Sequence, residues 1–212
     1  MNEESQPGEP ASPAPLPVTT WSRVARRLRV PLGFIFAVVY VWLARPTRAS
    51  LIVGALVLLP GLILRGLASG HVQKDKQLTI SGPYAYTRNP LYLGSLMLAA
   101  GFAIAARSWW IVVVMLLMFA VIYVPVIAGE ERYLRQTFPE YDDYARHVPR
   151  LLPRLTAYRG GQGAESSSRH SEAQSSSARY SSARYWKHRE YQASIGCAVV
   201  LAVLLVKLIT GS

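Results

Sequence analysis

Acidic residues are scarce in this sequence. Only 12 Asp and Glu stand against 23 Lys and Arg, and none of the 12 falls inside the long apolar runs. Charged residues of either sign make up 17% of the chain while 51% is hydrophobic. A water-soluble fold spaces its apolar residues periodically, whereas runs free of acid point to a bilayer as solvent. Cysteine is nearly absent as well. Cys197 stands alone, which excludes an internal disulfide and any thiolate-rich zinc site. The four histidines, His71, His147, His170 and His188, have no short ligand spacing, so no metal centre is expected. The net charge of +11 would suit nucleic acid in a soluble chain. In a membrane chain it marks cytoplasmic loops facing anionic lipid, and no nucleic-acid partner is expected.

The first twenty of the 212 residues hold five prolines and three glutamates without apolar periodicity, a composition that cannot offset the entropy of ordering and predicts a disordered tail. Its acidic start, with no apolar stretch directly after it, is unlike a signal peptide. Trp21, Val24, Ala25 and Leu28 alternate with Arg23, Arg26, Arg27 and Arg29 in a short basic amphipathic segment suited to the membrane surface. Five apolar blocks follow, 30–44, 50–67, 91–106, 109–129 and 194–209. The first would span only about 22 Å, short of a hydrocarbon core of about 30 Å, so it must borrow from its basic flank or thin the bilayer. The turns 45–49 and 107–108 leave room only for tight hairpins.

With the N-terminus inside, nineteen basic residues lie on the inner side and four, Arg45, Arg48, Arg107 and Lys207, on the outer. That bias places segments 70–90 and 130–193 in the cytoplasm. Residues 159–183, with nine serines and three glycines, predict a flexible linker, followed over 184–212 by a basic helix and the last span. The expected fold is all-α: a polytopic membrane protein of about five transmembrane helices, with a core over 21–158, a cytoplasmic lid over 130–158 and a cytoplasm-facing pocket.

Three inner-side features can carry chemistry. In the run from Gly82 to Tyr92, Gly82-Pro83 predicts a turn, Asn89 an N-cap and Pro90 the first helical position. Arg88 then sits at a helix start, where it can grip a carboxylate or phosphate; the same residues also read as an interfacial belt of Tyr84, Tyr86 and Tyr92 with Arg88 snorkelling. Glu130-Glu131 follows the fourth block. Adjacent helical residues diverge by about 100°, so one carboxylate can face the bundle and the other solvent, and Pro125 is placed to kink the helix before them. Finally, Phe138-Pro139 starts a short helix on which Tyr141, Tyr144 and Val148 share a face, and Val148-Pro149 ends it. That helix also suits a plain interfacial role.

The order and spacing of these features, G-P-Y-x-x-x-R-N-P-x-Y, then E-E-x-x-L, then F-x-E-Y-x-x-Y-x-x-x-V-P-R-x-x-P, span about Leu78 to Pro153. They resemble the isoprenylcysteine carboxyl methyltransferase and phospholipid methyltransferase superfamily. The resemblance implies an integral-membrane enzyme that takes a methyl group from S-adenosylmethionine in a cytoplasm-facing pocket and passes it to a lipid or lipid-modified acceptor. It implies catalytic roles for Arg88 and Glu131, and cofactor contacts from Tyr84, Arg88, Asn89, Tyr92, Glu130, Tyr141, Tyr144 and Arg150, with no metal. Many members carry His where this chain has Asn89, so a role needing imidazole basicity does not transfer, although an amide still hydrogen-bonds.

Two other readings stay open. Membrane sterol reductases, which use NADPH, have a similar motif but often an acid soon after its tyrosine, where this chain has Gly94-Ser95. A non-catalytic scaffold or small transporter would need intramembrane polar residues, and between Leu91 and Gly129 the one charge is Arg107. Because the tail contributes no core, deleting residues 1–20 is expected to leave cofactor affinity unchanged in a titration of the purified protein; a large loss would mean that the tail folds onto the pocket.

Overall fold

The computed structural model describes residues 35–71, 78–158 and 191–211. The expected tail, amphipathic segment and serine-rich linker lie outside these residues. The chain divides into two units, residues 1–39 and 40–212. Residues 35–43 are helical (α1). They are followed by α2 (Arg48–His71), a 3₁₀ turn (Gly82–Ala85), α3 (Pro90–Ala106), α4 (Trp109–Met118), a π-helical turn (Phe119–Tyr123), α5 (Val124–Thr137), α6 (Tyr141–His147) and α7 (Tyr191–Thr210). The described residues contain no strand.

Among the described residues, three stretches are long and apolar enough to cross a membrane: Arg48–His71, Trp109–Thr137 and Tyr191–Thr210. The 17 residues of α3 reach only about 25 Å. Several boundaries differ from the sequence expectation. The second block starts earlier and runs on to His71, and the fourth continues without a break past Glu130-Glu131 to Thr137. The reason is that Glu, Arg, Leu and Gln are good helix formers, so the backbone ladder carries on where hydropathy stops.

Glycine sets the spacing of α2 and α3. A Cβ on Gly54 would lie 2.6 Å from the Gly101 carbonyl oxygen, and one on Gly101 would lie 2.7 Å from that of Gly54. One heptad away, Gly61 and Gly94 repeat the arrangement, with would-be contacts of 3.0 and 2.9 Å to each other's carbonyl oxygens. Antiparallel helices in backbone contact gain dispersion that larger residues would forbid, as membrane helix pairs do through small residues. At the end of this seam Ser50 Oγ donates to the Ala105 carbonyl at 3.1 Å, and Tyr40 donates to that of Phe102 at 2.9 Å.

The hairpin at 107–108 is as tight as its length demands: Arg107 adopts φ 52° and ends α3 in the left-handed conformation. Around Pro125 the helix does not simply kink. The proline ring would press on the carbonyl four residues back, and the wider π turn of Phe119–Tyr123 lies there instead. Helix α7 packs on α2 and buries Cys197 and Leu204. Its Lys207 donates to the Val41 carbonyl at 2.7 Å, closing the end of α1.

Gly101→Leu is expected to destabilise the protein by about 1–3 kcal/mol through overpacking against backbone. Gly129 has nothing within 4 Å of a would-be Cβ, and Gly129→Ala is expected to raise stability by up to about 1 kcal/mol. Thermal melts of both variants in detergent check the pair, and equal melts would refute the seam.

Candidate functional site

The site forms where the loop after α2 meets the segment after α6. Gly82 has φ +59° and a would-be Cβ lies 2.6 Å from the His71 ring, so glycine is needed both for the turn and for the close approach. From there the loop runs alongside residues 149–158. The Arg88 amide donates to the Pro149 carbonyl at 2.9 Å, that of Arg154 to Tyr86 at 3.0 Å and that of Tyr158 to Ala85 at 2.9 Å. Thr87 Oγ1 lies 3.1 Å from the Arg150 carbonyl.

Asn89 occupies the position before α3 but makes no side-chain cap. Its amide donates to the Arg150 carbonyl at 3.1 Å instead, because the neighbouring segment offers an acceptor there. Below the loop, Tyr141, Tyr144 and Val148 form a buried cluster with Leu78, Ile80, Leu134, Phe138 and Tyr158 around them. The Tyr144 hydroxyl donates to the Tyr84 carbonyl at 2.7 Å. Burial pushes the Tyr144 phenol well above its ordinary value, which keeps it a neutral donor.

Glu131 is the focus. It is 5% exposed, and Arg150 forks onto it: Nε lies 3.0 Å from each carboxylate oxygen and Nη2 2.6 Å from Oε2. Arg88 Nη1 reaches Oε1 at 3.4 Å from the other segment. Two guanidinium groups on one carboxylate offset the penalty of burying it. Arg88 itself is nearly enclosed, its side chain 14% exposed, while that of Arg150 is 64% exposed.

Tyr141 is 1% exposed. Burial raises its phenol pKa, and the adjacent Arg88 opposes that rise. Glu130 diverges as helical geometry requires and is exposed, interacting with Tyr92. The Tyr92 ring in turn packs edge-on to Tyr123 at 5.5 Å, and Tyr123 stacks on Phe119 at 5.0 Å. An open cleft of about 550 Å³, lined by Arg88, Arg135, Asp142, Ala145, Arg146 and Arg150, faces the guanidinium side of this cluster.

The structure thus brings together Arg88, Asn89, Glu131, Tyr141 and Arg150. It sets Tyr92 and Glu130 beside one another, and it packs Tyr84 and Tyr144 into the wall that joins the loop to the lid. The sequence reading did not single out Thr87, Arg135, Asp142 or Arg146. Arg135 Nε and Asp142 Oδ1 lie 2.7 Å apart, a contact between α5 and α6 that the acid-base patterning of Arg132 to Arg146 could have suggested.

Residues 62–141 match the phospholipid methyltransferase family. The resemblance read from the motifs holds over that stretch, which runs from α2 to the first residue of α6 and contains Arg88, Glu130 and Glu131. The Cobalt-zinc-cadmium resistance protein CzcN of Cupriavidus metallidurans is 41% identical over 88 residues, 42% of this chain and 41% of that protein. The Nickel-cobalt-cadmium resistance protein NccN of Alcaligenes xylosoxydans xylosoxydans is 37% identical over 87 residues, 41% of each chain. The chain therefore spans about two fifths of the length of these curated relatives. No solved structure matches it.

Arg150→Ala leaves the buried Glu131 carboxylate with the single, longer contact to Arg88. The expected loss is about 1–3 kcal/mol of stability, reduced from the fully buried case because Arg150 is half in water. Arg154→Ala, which loses only contacts to the His147 carbonyl and Thr156, is expected to cost under about 0.5 kcal/mol. A melting comparison of the two decides whether the fork holds the lid.

Proposed function

We propose that the chain is a multi-pass membrane methyltransferase that uses S-adenosylmethionine and acts on a lipid-borne or small hydrophobic acceptor at the cytoplasmic face. The single observation that carries this reading is the convergence of Arg88, Glu131 and Arg150 at the end of the family-matched helices. The crossings proposed are five: α2, α3, the continuous helix from Trp109, α7, and a first span ending at α1. The surplus of basic residues on the loop and lid segments sets the cytoplasmic face.

The residues fit the cofactor by the chemistry of their donors and acceptors. Arg88, Asn89 and Tyr141 offer donors to a carboxylate tail, and two of the atoms concerned, Arg88 Nε and the Tyr141 hydroxyl, are buried without a partner among the described residues. Exposed Glu130, backed by Tyr92, offers a carboxylate and an aromatic face to a cation. When bound, S-adenosylmethionine supplies an activated methyl group for in-line displacement. The protein's work is then positioning and the exclusion of water.

Both Glu131 oxygens are already taken by guanidinium donors, so its part is to hold Arg88 in place rather than to remove a proton. Glu130 is the carboxylate left to receive a proton from an amine acceptor or to align it. For a carboxylate acceptor Arg88 aligns the nucleophile and no base is needed. Tyr84 and Tyr144 position the pocket wall. The described residues bring no three His, Cys, Asp or Glu side chains together, and the proposal assigns no role to metal.

The test is transfer of labelled methyl from S-adenosylmethionine into the lipid-extractable fraction of membranes carrying the protein. Wild type is expected to label it. Arg88→Ala is expected to abolish labelling, and Glu131→Gln to lower it at least about tenfold with the loss in kcat, while both variants stay monodisperse in detergent. Wild-type labelling by a well-folded Arg88→Ala would overturn the assignment.

A further inference from the structure

Segment 149–158 presents apolar side chains that the described residues leave uncovered. Leu152 is 78% exposed and Leu155 100%, and Pro153 and Ala157 are exposed beside them. A lone exposed leucine needs no explanation, but four apolar residues among the six from 152 to 157 form a patch. The backbone that carries the patch is tied down. The Arg154 amide donates to the Tyr86 carbonyl and that of Tyr158 to the Ala85 carbonyl, and the Arg154 guanidinium donates to the His147 carbonyl at 3.0 Å and the Thr156 hydroxyl at 3.1 Å. The leucines are thus held outward by the fold.

Depth decides what the patch faces. The glycine seam sets Gly61 beside Gly94, so in these antiparallel helices the start of α3 at Pro90 lies level with Arg65. That is six residues short of the end of α2 at His71, or about 9 Å. The 24 residues of α2 reach about 36 Å, beyond a hydrocarbon core of about 30 Å, whereas the 17 residues of α3 fall short of it. The inner end of α3 then lies at the hydrocarbon boundary while the end of α2 stands among headgroups. Asn89, just before α3, donates to the Arg150 carbonyl, which ties residue 150 and the patch after it to the lower of these two levels.

Charge agrees with that placement. From 146 to 158 there are three arginines, Arg146, Arg150 and Arg154, and no acid. Arg150 is engaged by Glu131. Arg146 and Arg154 suit anionic headgroups, with the leucines reaching below them.

We propose that residues 152–157 are a membrane-docking surface, with Leu152 and Leu155 inserted at the hydrocarbon boundary of the cytoplasmic leaflet and Arg146 and Arg154 among its headgroups. The occupant is the bilayer itself. The proposal rests on the membrane crossings of α2, α3 and α7 proposed above and is independent of methyl transfer. Because the same segment carries Arg150, the contact holds the guanidinium fork on Glu131 at the membrane surface.

The experiment is spin-label accessibility in the full chain, reconstituted in nanodiscs of phosphatidylcholine and phosphatidylglycerol. Cys197, the one native cysteine, is replaced by alanine, and a nitroxide is placed in turn at Leu152→Cys and Leu155→Cys, so that each position checks the other should one labelled variant fail to fold. Val199→Cys, exposed on α7, is the reference for lipid. Glu140→Cys, exposed just before α6, is the reference for water. Oxygen concentrates in the hydrocarbon and nickel ethylenediaminediacetate stays in water, so the ratio of their collision rates with the label reads depth.

At Leu152 and Leu155 this ratio is expected to lie several-fold above that at Glu140, toward that at Val199. Leucine positions as wet as Glu140, with Val199 in lipid, overturn the proposal and leave the crossings standing. Low collision rates with both reagents at both leucines identify a protein cover, from this chain or a second copy, and overturn it as well. A water-exposed Val199 overturns the crossings and this proposal with them.

Discussion

One buried carboxylate organises the functional end of this molecule. Glu131 is 5% exposed and is reached by Arg150 at 2.6 Å and Arg88 at 3.4 Å. These three residues come from three different segments: the loop before α3, the middle of α5 and the chain after α6. An ion pair in water would contribute little, but a carboxylate already withdrawn from solvent is costly to leave alone. Segment 149–158 can therefore not lift away from Arg88 and Glu131 without exposing that cost, and the antiparallel run of backbone hydrogen bonds between 85–88 and 149–158 accompanies the same closure.

That carboxylate can be held there only because the helices carrying it end in the right places. The glycine seam between α2 and α3 brings their backbones into contact, which fixes the height at which Gly82 turns over His71 and Arg88 enters the site. The hairpin at Arg107 returns the chain, and the π turn at Phe119–Tyr123 alters the rotation of the helix just before Pro125. An added residue per turn shifts every following side chain around the axis, so the π turn helps decide that Glu131 faces inward while Glu130 faces out. The aromatic stack of Phe119, Tyr123 and Tyr92 sits at that same point.

Much of this was legible in the sequence, for reasons that differ residue by residue. Pro90 at a helix start, Val148-Pro149 at a helix end and the divergence of Glu130 from Glu131 are local rules, and each appears as expected. The burial of Cys197 follows from its place in an apolar run. The side-chain partners were not legible. Asn89 was expected to cap α3, yet it donates to Arg150 across 61 residues, and no local preference encodes a partner so distant. For the same reason Arg150 could be placed in the lid but not on Glu131. The seven-residue spacing of Gly54 with Gly61 and of Gly94 with Gly101 stood in the sequence, but its meaning needs the antiparallel pairing that aligns them. Hydropathy likewise marked where apolar runs stop, not where helices stop.

S-adenosylmethionine, rather than a nicotinamide cofactor, is the ligand proposed for this site. The most direct test of that assignment is calorimetric titration of the purified, full-length protein in detergent with S-adenosylmethionine and, separately, with NADPH. Saturable binding of S-adenosylmethionine that is lost in Arg88→Ala, with no binding of NADPH, is the predicted result. Saturable NADPH binding with none of S-adenosylmethionine would contradict it.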